Sequence, residues 1–337
     1  MSTSVTGDFE TLRPSHRGGA KKAVIVVAKL LVTGACFWYV SRQIDWRQVL
    51  SAIPLLDLRW TAVAILVAML EIPLSGLRWY NIVDSLGARD KQMTRIALVA
   101  ATAVGVFFAQ VLPSVAGEGV RAWLLVRLGG NWRTAVTSLV IDRGVGVGLL
   151  IVLGFVVLLL PSGLTALGGY REVVLVVYGA LIIAGALGLV LAPKIVSPLA
   201  RWRYSRWFAT LASDVHRVLL GSKGPVVLSL GCLIHAFTIV VIWLVGRAQG
   251  LALPLPDAMV LFIVMTGAVV VPISIGGWGL RELAVVSLLA SYGVAPERAL
   301  LFSVCFGLAL AVGSLPGALA WLLYPFAPER ASADRAG

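Results

Sequence analysis

The chain has 337 residues, of which 59% are hydrophobic and 13% are charged, with a formal net charge of +12. A typical soluble protein is roughly 45 to 50% apolar and about 25% charged, so this composition excludes an ordinary soluble domain. The sequence therefore predicts an all-α polytopic membrane protein. In such a protein the basic excess reports orientation in the membrane, and nucleic acid is not an expected partner.

Six segments are long and apolar enough to cross a bilayer, which takes about 20 residues. They are residues 22–40, 58–77, 134–160, 172–192, 225–246 and 299–324. Segments 44–56 and 204–219 are amphipathic, and polar tails cover residues 1–21 and 325–337. The three cysteines all fall inside spans without zinc-site spacing, so no metal centre is expected.

Lysine and arginine are unevenly distributed between the two sides of this topology. With the amino terminus inside, the inner segments hold 18 of these residues, the outer segments hold seven and the spans hold three. Cytoplasmic loops of membrane proteins are enriched in Lys and Arg. Both termini are therefore predicted to be cytoplasmic, with the chain in the inner (plasma) membrane.

Two further apolar segments, 96–127 and 258–292, are broken in the middle by proline and glycine. If 96–127 crossed the bilayer, Arg121, Arg127 and Arg133 would lie outside, against the charge rule. A re-entrant hairpin that enters and leaves on the cytoplasmic side keeps these arginines inside. Segment 258–292 has the same pattern and is predicted to enter from the outer side.

The two hairpins share a motif at an offset of 160 residues. Gly117-Glu118-Gly119-Val120-Arg121 matches Gly277-Trp278-Gly279-Leu280-Arg281, with a proline shortly before each. The order of spans also matches, so residues 22–160 and 161–324 are predicted to form an inverted-topology repeat. Non-helical backbone at membrane depth must be buried in protein or line a wet cavity, which predicts a polar cavity near the midplane.

Each break ends in glycines followed by the start of a helix, where free amides and the helix dipole attract anions. An arginine in the first turn adds donors suited to phosphate. The candidate substrate-binding residues are Gln110, Pro113, Gly117, Glu118, Gly119, Arg121, Asp142, Arg143, Gly276, Gly277, Gly279, Arg281 and Glu282. The alternative is that Arg121 and Arg281 pair with their neighbours Glu118 and Glu282.

Four charged residues lie in predicted spans or directly at the end of one. A charged side chain in a membrane is costly, so each of the four is a candidate functional residue. Asp142 and Arg143 lie six to eight residues into the span 134–160 and could instead form a structural ion pair that holds a hairpin against this span. Glu71 and Arg78, seven residues apart on one helical face, are secondary candidates. Arg78 could alternatively be an interfacial anchor.

The sequence has no nucleotide-binding, metalloprotease or serine-hydrolase motif. No catalytic residue and no cofactor are therefore predicted, and the chain is not expected to be an enzyme.

Three stretches carry a family resemblance: VLPSVAGEGVRAWLL, the Asp142-Arg143 pair, and VPISIGGWGLRELA. They resemble the lysylphosphatidylglycerol synthase transmembrane region, a flippase-like family, over about residues 20–325. The resemblance implies a membrane part that moves lipid between leaflets. Fused members carry an aminoacyl-transferase domain, and because the chain ends at Gly337 we expect a stand-alone member. Gln110 is similar to the family's Asn or Gln, while Asp142 replaces a common Glu.

The resulting functional prediction is a lipid translocator whose midplane cavity accepts an anionic headgroup while the tails stay in the bilayer. Two alternatives remain open: a membrane scaffold for a lipid-modifying or glycosyl-transfer enzyme, and a secondary transporter of a small anion. Membrane lipids are the predicted partners. A lipid-modifying enzyme and a second copy of the chain are further candidate partners.

Overall fold

The computed structural model describes residues 56–111, 114–159, 171–199, 206–270 and 279–326, together with residues 47, 51 and 53. The predicted first span 22–40, both tails and most of segment 44–56 lie outside the described residues. Within the described ranges the regular structure consists of helices. They are α1 (Leu58–Ser85), α2 (Arg95–Val111), α3 (Ser114–Arg127), α4 (Trp132–Leu159), α5 (Arg171–Leu199), α6 (Arg206–Leu220), α7 (Gly224–Ala248), α8 (Leu255–Val270), α9 (Leu280–Ala290), α10 (Pro296–Gly313) and α11 (Leu315–Leu323).

Five stretches of these helices are long and apolar enough to cross a membrane: Leu58–Ser85, Trp132–Leu159, Glu172–Ala192, Gly224–Ala248 and Pro296–Leu323. They coincide with the five predicted spans inside the described ranges. The last stretch is two helices, because α10 ends at Gly313 and α11 restarts after Ser314. Pro316 in the first turn of α11 has no N–H to continue the preceding helix.

The amphipathic segment predicted at 204–219 is also a helix, α6, which packs against α5 and α7. Its apolar side, with Leu211, Val215 and Val218, packs on Ile82 of α1 and Val227 of α7. The amphipathic prediction is confirmed for this segment.

The two helices α1 and α7 form the most extensive helix pair described. Residue numbers rise along α1 as they fall along α7, so the two helices run antiparallel. Four contacts establish this direction: Asp57 with Ala248, Trp60 with Trp243, Glu71 with Thr238, and Arg78 with Gly231.

The chain enters α2 and leaves α3 at the same place in the structure. The chain entering α2 passes Asp90 and Met93, and the chain leaving α3 passes the same two residues at Gly129 and Gly130. Met93 belongs to the apolar cluster that holds Val83 near the end of α1. Both ends of this helix pair therefore lie beside the carboxyl end of α1.

The pair α8 and α9 behaves in the same way at the other end of α1. The hydroxyl of Tyr292, after α9, lies 3.3 Å from Oδ1 of Asp257, in the first turn of α8. The chain reaches α8 from the end of α7, where the carbonyl of Ala248 accepts a hydrogen bond from the amide of Asp57, just before α1. Each helix pair is thus a hairpin, and the two hairpins open at opposite ends of α1.

The contacts between helices follow a two-fold pattern. When α1 to α3 are matched with α7 to α9, and α4 with α10 and α11, the main contacts among these nine helices fall into six pairs, while the contacts of α5 and α6 have no described counterpart. The contacts α1–α2, α2–α3 and α3–α4 correspond to α7–α8, α8–α9 and α9–α10, respectively. The contacts α1–α4, α4–α7 and α2–α11 correspond to α7–α10, α10–α1 and α8–α4.

Candidate functional site

A chain of buried ion pairs joins three helices at the first hairpin. Nε of Arg78 on α1 donates to Oδ1 of Asp142 on α4 at 2.8 Å. Both terminal nitrogens of Arg121, about two turns into α3, lie 3.2 Å from Oδ2 of the same carboxylate. The side chains of these residues are 3 to 9% exposed. Asp142 therefore ties α1 and the hairpin to α4. The prediction that Arg121 lies in the first turn after a glycine break is wrong, because α3 begins at Ser114 and already includes Gly117 and Gly119.

Glu118 extends the cluster toward the surface of the helix bundle. One of its carboxylate oxygens accepts from Nη1 of Arg121 at 3.0 Å, and the other is paired with Arg143 of α4. The Arg143 side chain is 63% exposed, unlike Arg121, which is 6% exposed. One end of the cluster is thus closed in protein, and the other end is accessible.

The charges of this cluster do not balance. Arg78, Arg121 and Arg143 supply three positive charges, while Glu118 and Asp142 supply two negative charges. Nε of Arg121 is also buried without a hydrogen-bond partner among the described residues. An uncompensated charge in a membrane interior is costly, so the cluster favours an additional anion.

Small residues create the space that Arg121 occupies. A Cβ at Gly105 on α2 would lie 2.7 Å from Cδ of Arg121, so only glycine leaves room for this side chain. A Cβ at Gly117 would lie 2.5 Å from the carbonyl oxygen of Gly105, which shows how closely α2 and α3 approach. The guanidinium of Arg121 also lies 4.4 Å from the ring centroid of Trp79, a favourable cation–π distance.

The second hairpin carries a separate, enclosed cluster. Arg281 donates to Oε1 of Glu282 from Nη2 at 2.6 Å and to Oγ of Ser303 from Nε at 3.2 Å. The Ser303 hydroxyl donates in turn to Glu282 at 3.1 Å. Oε2 of Glu282 accepts the amide N–H of Gly279 at 2.6 Å and so caps α9. Here one arginine faces one carboxylate, and the charges balance.

Gly279 has a backbone conformation that few other residues adopt, with φ of 86°. A side chain in this left-handed region is strained, which explains a glycine directly before α9. This conformation lets the Gly279 amide point at Glu282 three residues later.

The structure brings together most of the predicted site residues that it describes. Glu118, Arg121, Asp142 and Arg143 meet at the first hairpin with Arg78, and Gly279, Arg281 and Glu282 meet at the second. Gly117 lies in the α2 contact, while Gln110 and Gly119 are exposed. Glu71 joins neither cluster among the described contacts. Pro113, Gly276 and Gly277 lie outside the described residues.

The structure shows which ion-pair partners the arginines have. Arg121 does pair with Glu118, and Arg281 does pair with Glu282. The structural alternative for Asp142 and Arg143 is also found, since Asp142 pairs with Arg121 and Arg143 pairs with Glu118, and both pairs hold the first hairpin against α4. Asp142 pairs with Arg78 of α1 as well. The interfacial-anchor alternative for Arg78 is wrong, because its side chain is buried in the first cluster.

Sequence reasoning missed two participants. Ser303 follows Arg281 by 22 residues, much as Asp142 follows Arg121 by 21, and this matched spacing was the available signal. Trp79 follows Arg78 directly, and its ring faces Arg121 from α1. In the described part of the chain, no three His, Cys, Asp or Glu side chains gather as they would around a metal ion.

A helical bundle with five candidate spans and buried charged clusters defines the class as a multi-pass membrane protein. Residues 26–317 match the family described as the lysylphosphatidylglycerol synthase TM region. The chain belongs to this family, which confirms the resemblance drawn from the two hairpin motifs and relates the protein to lipid handling. No curated protein matches the sequence.

Proposed function

We propose that the protein translocates a lipid with an anionic headgroup between leaflets, and that the headgroup binds at the first arginine cluster. The observation that carries this proposal is the charge imbalance there: three arginines against two carboxylates, with Arg143 accessible. A single phosphate or carboxylate on the headgroup makes the cluster neutral. Arg143 is the first contact because it is the exposed member.

The fold supports a site reached from both sides of the membrane. The hairpins open at opposite ends of α1, and α1 runs antiparallel to its counterpart α7. An inverted-topology repeat with two re-entrant hairpins has these properties. In this arrangement there are six full spans, counting residues 22–40, and both termini are cytoplasmic. In this arrangement a polar cavity lies between the two hairpins, because a charged headgroup in lipid without such a cavity loses its hydration at a cost of several kcal/mol.

Translocation proceeds by exchange of ion-pair partners. The headgroup anion displaces the Glu118 carboxylate from Arg143, and then reaches Arg121, whose Nε has no partner in the described residues. Asp142 and Arg78 keep Arg121 in place during this exchange. The main barrier to lipid flipping is the loss of headgroup hydration, and prearranged guanidinium donors replace that water.

The second cluster has a different role in this proposal. Arg281 already uses its donors on Glu282 and Ser303, and the Glu282 side chain is 0% exposed. It fixes the hairpin α8–α9 against α10, so that the two halves close around the lipid without a second charged binding step.

A matched pair of arginine variants tests the site. The purified chain is placed in liposomes with a fluorescent phosphatidylglycerol, and leaflet exchange is followed by chemical quenching of the outer leaflet. Arg143→Gln loses one charge-assisted contact, about 1.5 to 3 kcal/mol, and should flip roughly 10- to 150-fold more slowly. Arg127→Gln, at an exposed arginine whose described contact is with Trp123, serves as the control.

Three results would contradict the proposal. Equal rates for the two variants would remove Arg143 from the substrate path. Equal flipping of a lipid without a charged headgroup would remove anion selectivity. Uptake of a small soluble anion, with no lipid exchange, would favour the secondary transporter instead.

The proposed topology is tested separately by cysteine labelling. In a background without Cys36, Cys232 and Cys305, single cysteines replace Arg127 after the first hairpin and Ala295 after the second, both of which are exposed. Arg127→Cys should react only from the cytoplasmic side and Ala295→Cys only from outside. Leu128 is a poorer probe because it is 4% exposed. Outside labelling of position 127 would exclude a cytoplasmic hairpin.

A further inference from the structure

The central helix pair contains a carboxyl group that neither arginine cluster uses. Glu71 of α1 lies against the hydroxyl of Thr238 on α7. Its Oε1 has almost no accessible surface and no hydrogen-bond partner among the described residues. A buried carboxylate without a donor is strongly disfavoured in a membrane interior.

The hydrogen bonds available at Thr238 indicate whether the neutral or the ionised form of the Glu71 side chain is favoured. The Thr238 hydroxyl donates to the carbonyl of Ile234 at 3.1 Å. A hydroxyl has one hydrogen, so the Ile234 carbonyl and an ionised Glu71 compete for it, and Oε1 of Glu71 has no described donor in either arrangement. A protonated Glu71 removes this competition, because its own hydrogen can be donated to Thr238 while Thr238 donates to Ile234.

The charged groups on the helices around α1 are engaged elsewhere. Asp142 of α4 binds Arg78, Arg95 of α2 stacks on Tyr80, and Arg298 of α10 donates to Gln249. The remaining titratable groups on these helices are Arg143 and Arg133 of α4, His235, Cys232 and Arg247 of α7, Cys305 and Glu297 of α10, and Asp214, His216 and Arg217 of α6.

Of these groups, His235 lies nearest in sequence to the contact, one turn from Thr238, and its Nε2 is 3.0 Å from the carbonyl oxygen of Gly146. The described contacts therefore join Glu71 to Thr238 alone.

Glu71 is also linked to the first cluster through the contact between α1 and α7. It lies two helical turns before Arg78 on the same face of α1, and Thr238 lies two turns after Gly231 on α7, the residue that Arg78 reaches. Any sliding between α1 and α7 therefore changes the surroundings of Glu71 and of the Arg78–Asp142 pair together. Pro73, inside α1 between the two residues, removes one backbone hydrogen bond at this point.

We infer that Glu71 is a proton-binding site that couples lipid translocation to the proton gradient. This inference rests on the proposed function. The proton binds on the carboxyl oxygen that contacts Thr238, and it is released when the α1–α7 contact opens toward the other side. One proton then crosses for each headgroup carried.

The test measures the leaflet distribution of the fluorescent phosphatidylglycerol in liposomes with and without a gradient of one pH unit. One-to-one coupling supports up to about a tenfold shift of the lipid ratio per unit. The native chain should show this shift, and so should Glu172→Gln, a matched change at an exposed acid of α5. Glu71→Gln should give the same ratio with and without the gradient, because its amide donates permanently to Thr238.

The outcomes separate this inference from the proposed function. A native chain that flips lipid without responding to the gradient, or a Glu71→Gln variant that responds fully, overturns the proton site and leaves translocation intact. If no lipid is flipped, translocation itself fails, and infrared spectroscopy tests the proton site alone. A carboxylic acid C=O band lost in Glu71→Gln supports it, and an unchanged band overturns it.

Discussion

The two hairpins carry the same arginine motif in their second helices, α3 and α9, but place it in different electrostatic settings. At the first hairpin Arg121 shares a carboxylate with Arg78, and the cluster reaches the exposed Arg143. At the second, Arg281 and Glu282 form a closed pair completed by Ser303. A scaffold with matched helix contacts thus carries unmatched charge, and we infer that binding is concentrated in one half.

The difference depends on one residue of α4 and its counterpart on α10. Asp142 is a carboxylate that can bind two arginines at once, whereas Ser303 is a neutral hydroxyl that accepts from one. The second half supplies its carboxylate from Glu282, on the same helix as Arg281. The comparison predicts a stability role for the second cluster and a substrate role for the first.

The largest effect on stability is expected for Glu282→Gln. The variant removes the carboxylate of the buried Arg281–Glu282 ion pair and replaces one acceptor with an amide donor. Breaking a buried pair in this way costs about 3 to 5 kcal/mol. Thermal melting in detergent should show a large decrease, or loss of the folded protein, while Glu172→Gln at an exposed position melts normally. Native-like melting of Glu282→Gln would remove the structural role of the second cluster.

A somewhat smaller effect is expected for Asp142→Asn, about 3 kcal/mol, because Arg121 keeps Glu118 as a partner. Adding Arg121→Gln removes one of the two arginines that Asp142 pairs with and should recover part of the stability. Adding Arg143→Gln should recover none, since Arg143 pairs with Glu118. The melting temperatures of Asp142→Asn, the two double variants and the single variants Arg121→Gln and Arg143→Gln are compared as two double-mutant cycles. Recovery with Arg143→Gln would mean that the adjacent residues form a pair after all.

The sequence could predict the spans, but it could not predict the ion-pair partners of Asp142 and Arg143. Hydropathy and basic-residue counts located the five described spans and both broken segments, since these signals extend over 20 residues or more. The partner of Asp142 depends on how α1, α3 and α4 are rotated, which adjacency to Arg143 cannot reveal. Ser303 is one hydroxyl in an apolar span, and its only sequence signal is its spacing from Arg281, which resembles that of Asp142 from Arg121.

Gly105→Ala tests how closely the first site depends on packing. The new methyl group would overlap Cγ and Cδ of Arg121 and force the guanidinium away from Asp142. Overpacking of this kind costs about 1 to 3 kcal/mol, and we expect slower flipping in the same variant. The control is Gly148→Ala on α4, where nothing lies within 4 Å of the added carbon. Equal flipping by both variants would separate the Arg121 position from transport.

The smallest effect is expected for Ser303→Ala. Arg281 loses one acceptor, but its Nε still lies 3.0 Å from Glu282, so no buried charge is left without a carboxylate. Both hydrogen bonds of Ser303 go to charged side chains, but these side chains keep each other as partners, so we expect a cost of about 1 kcal/mol and a small decrease in melting temperature. Flipping should stay at the native rate, because the first cluster is untouched. A loss of flipping in a protein that melts normally would place the second cluster on the substrate path and overturn the division of roles between the two halves.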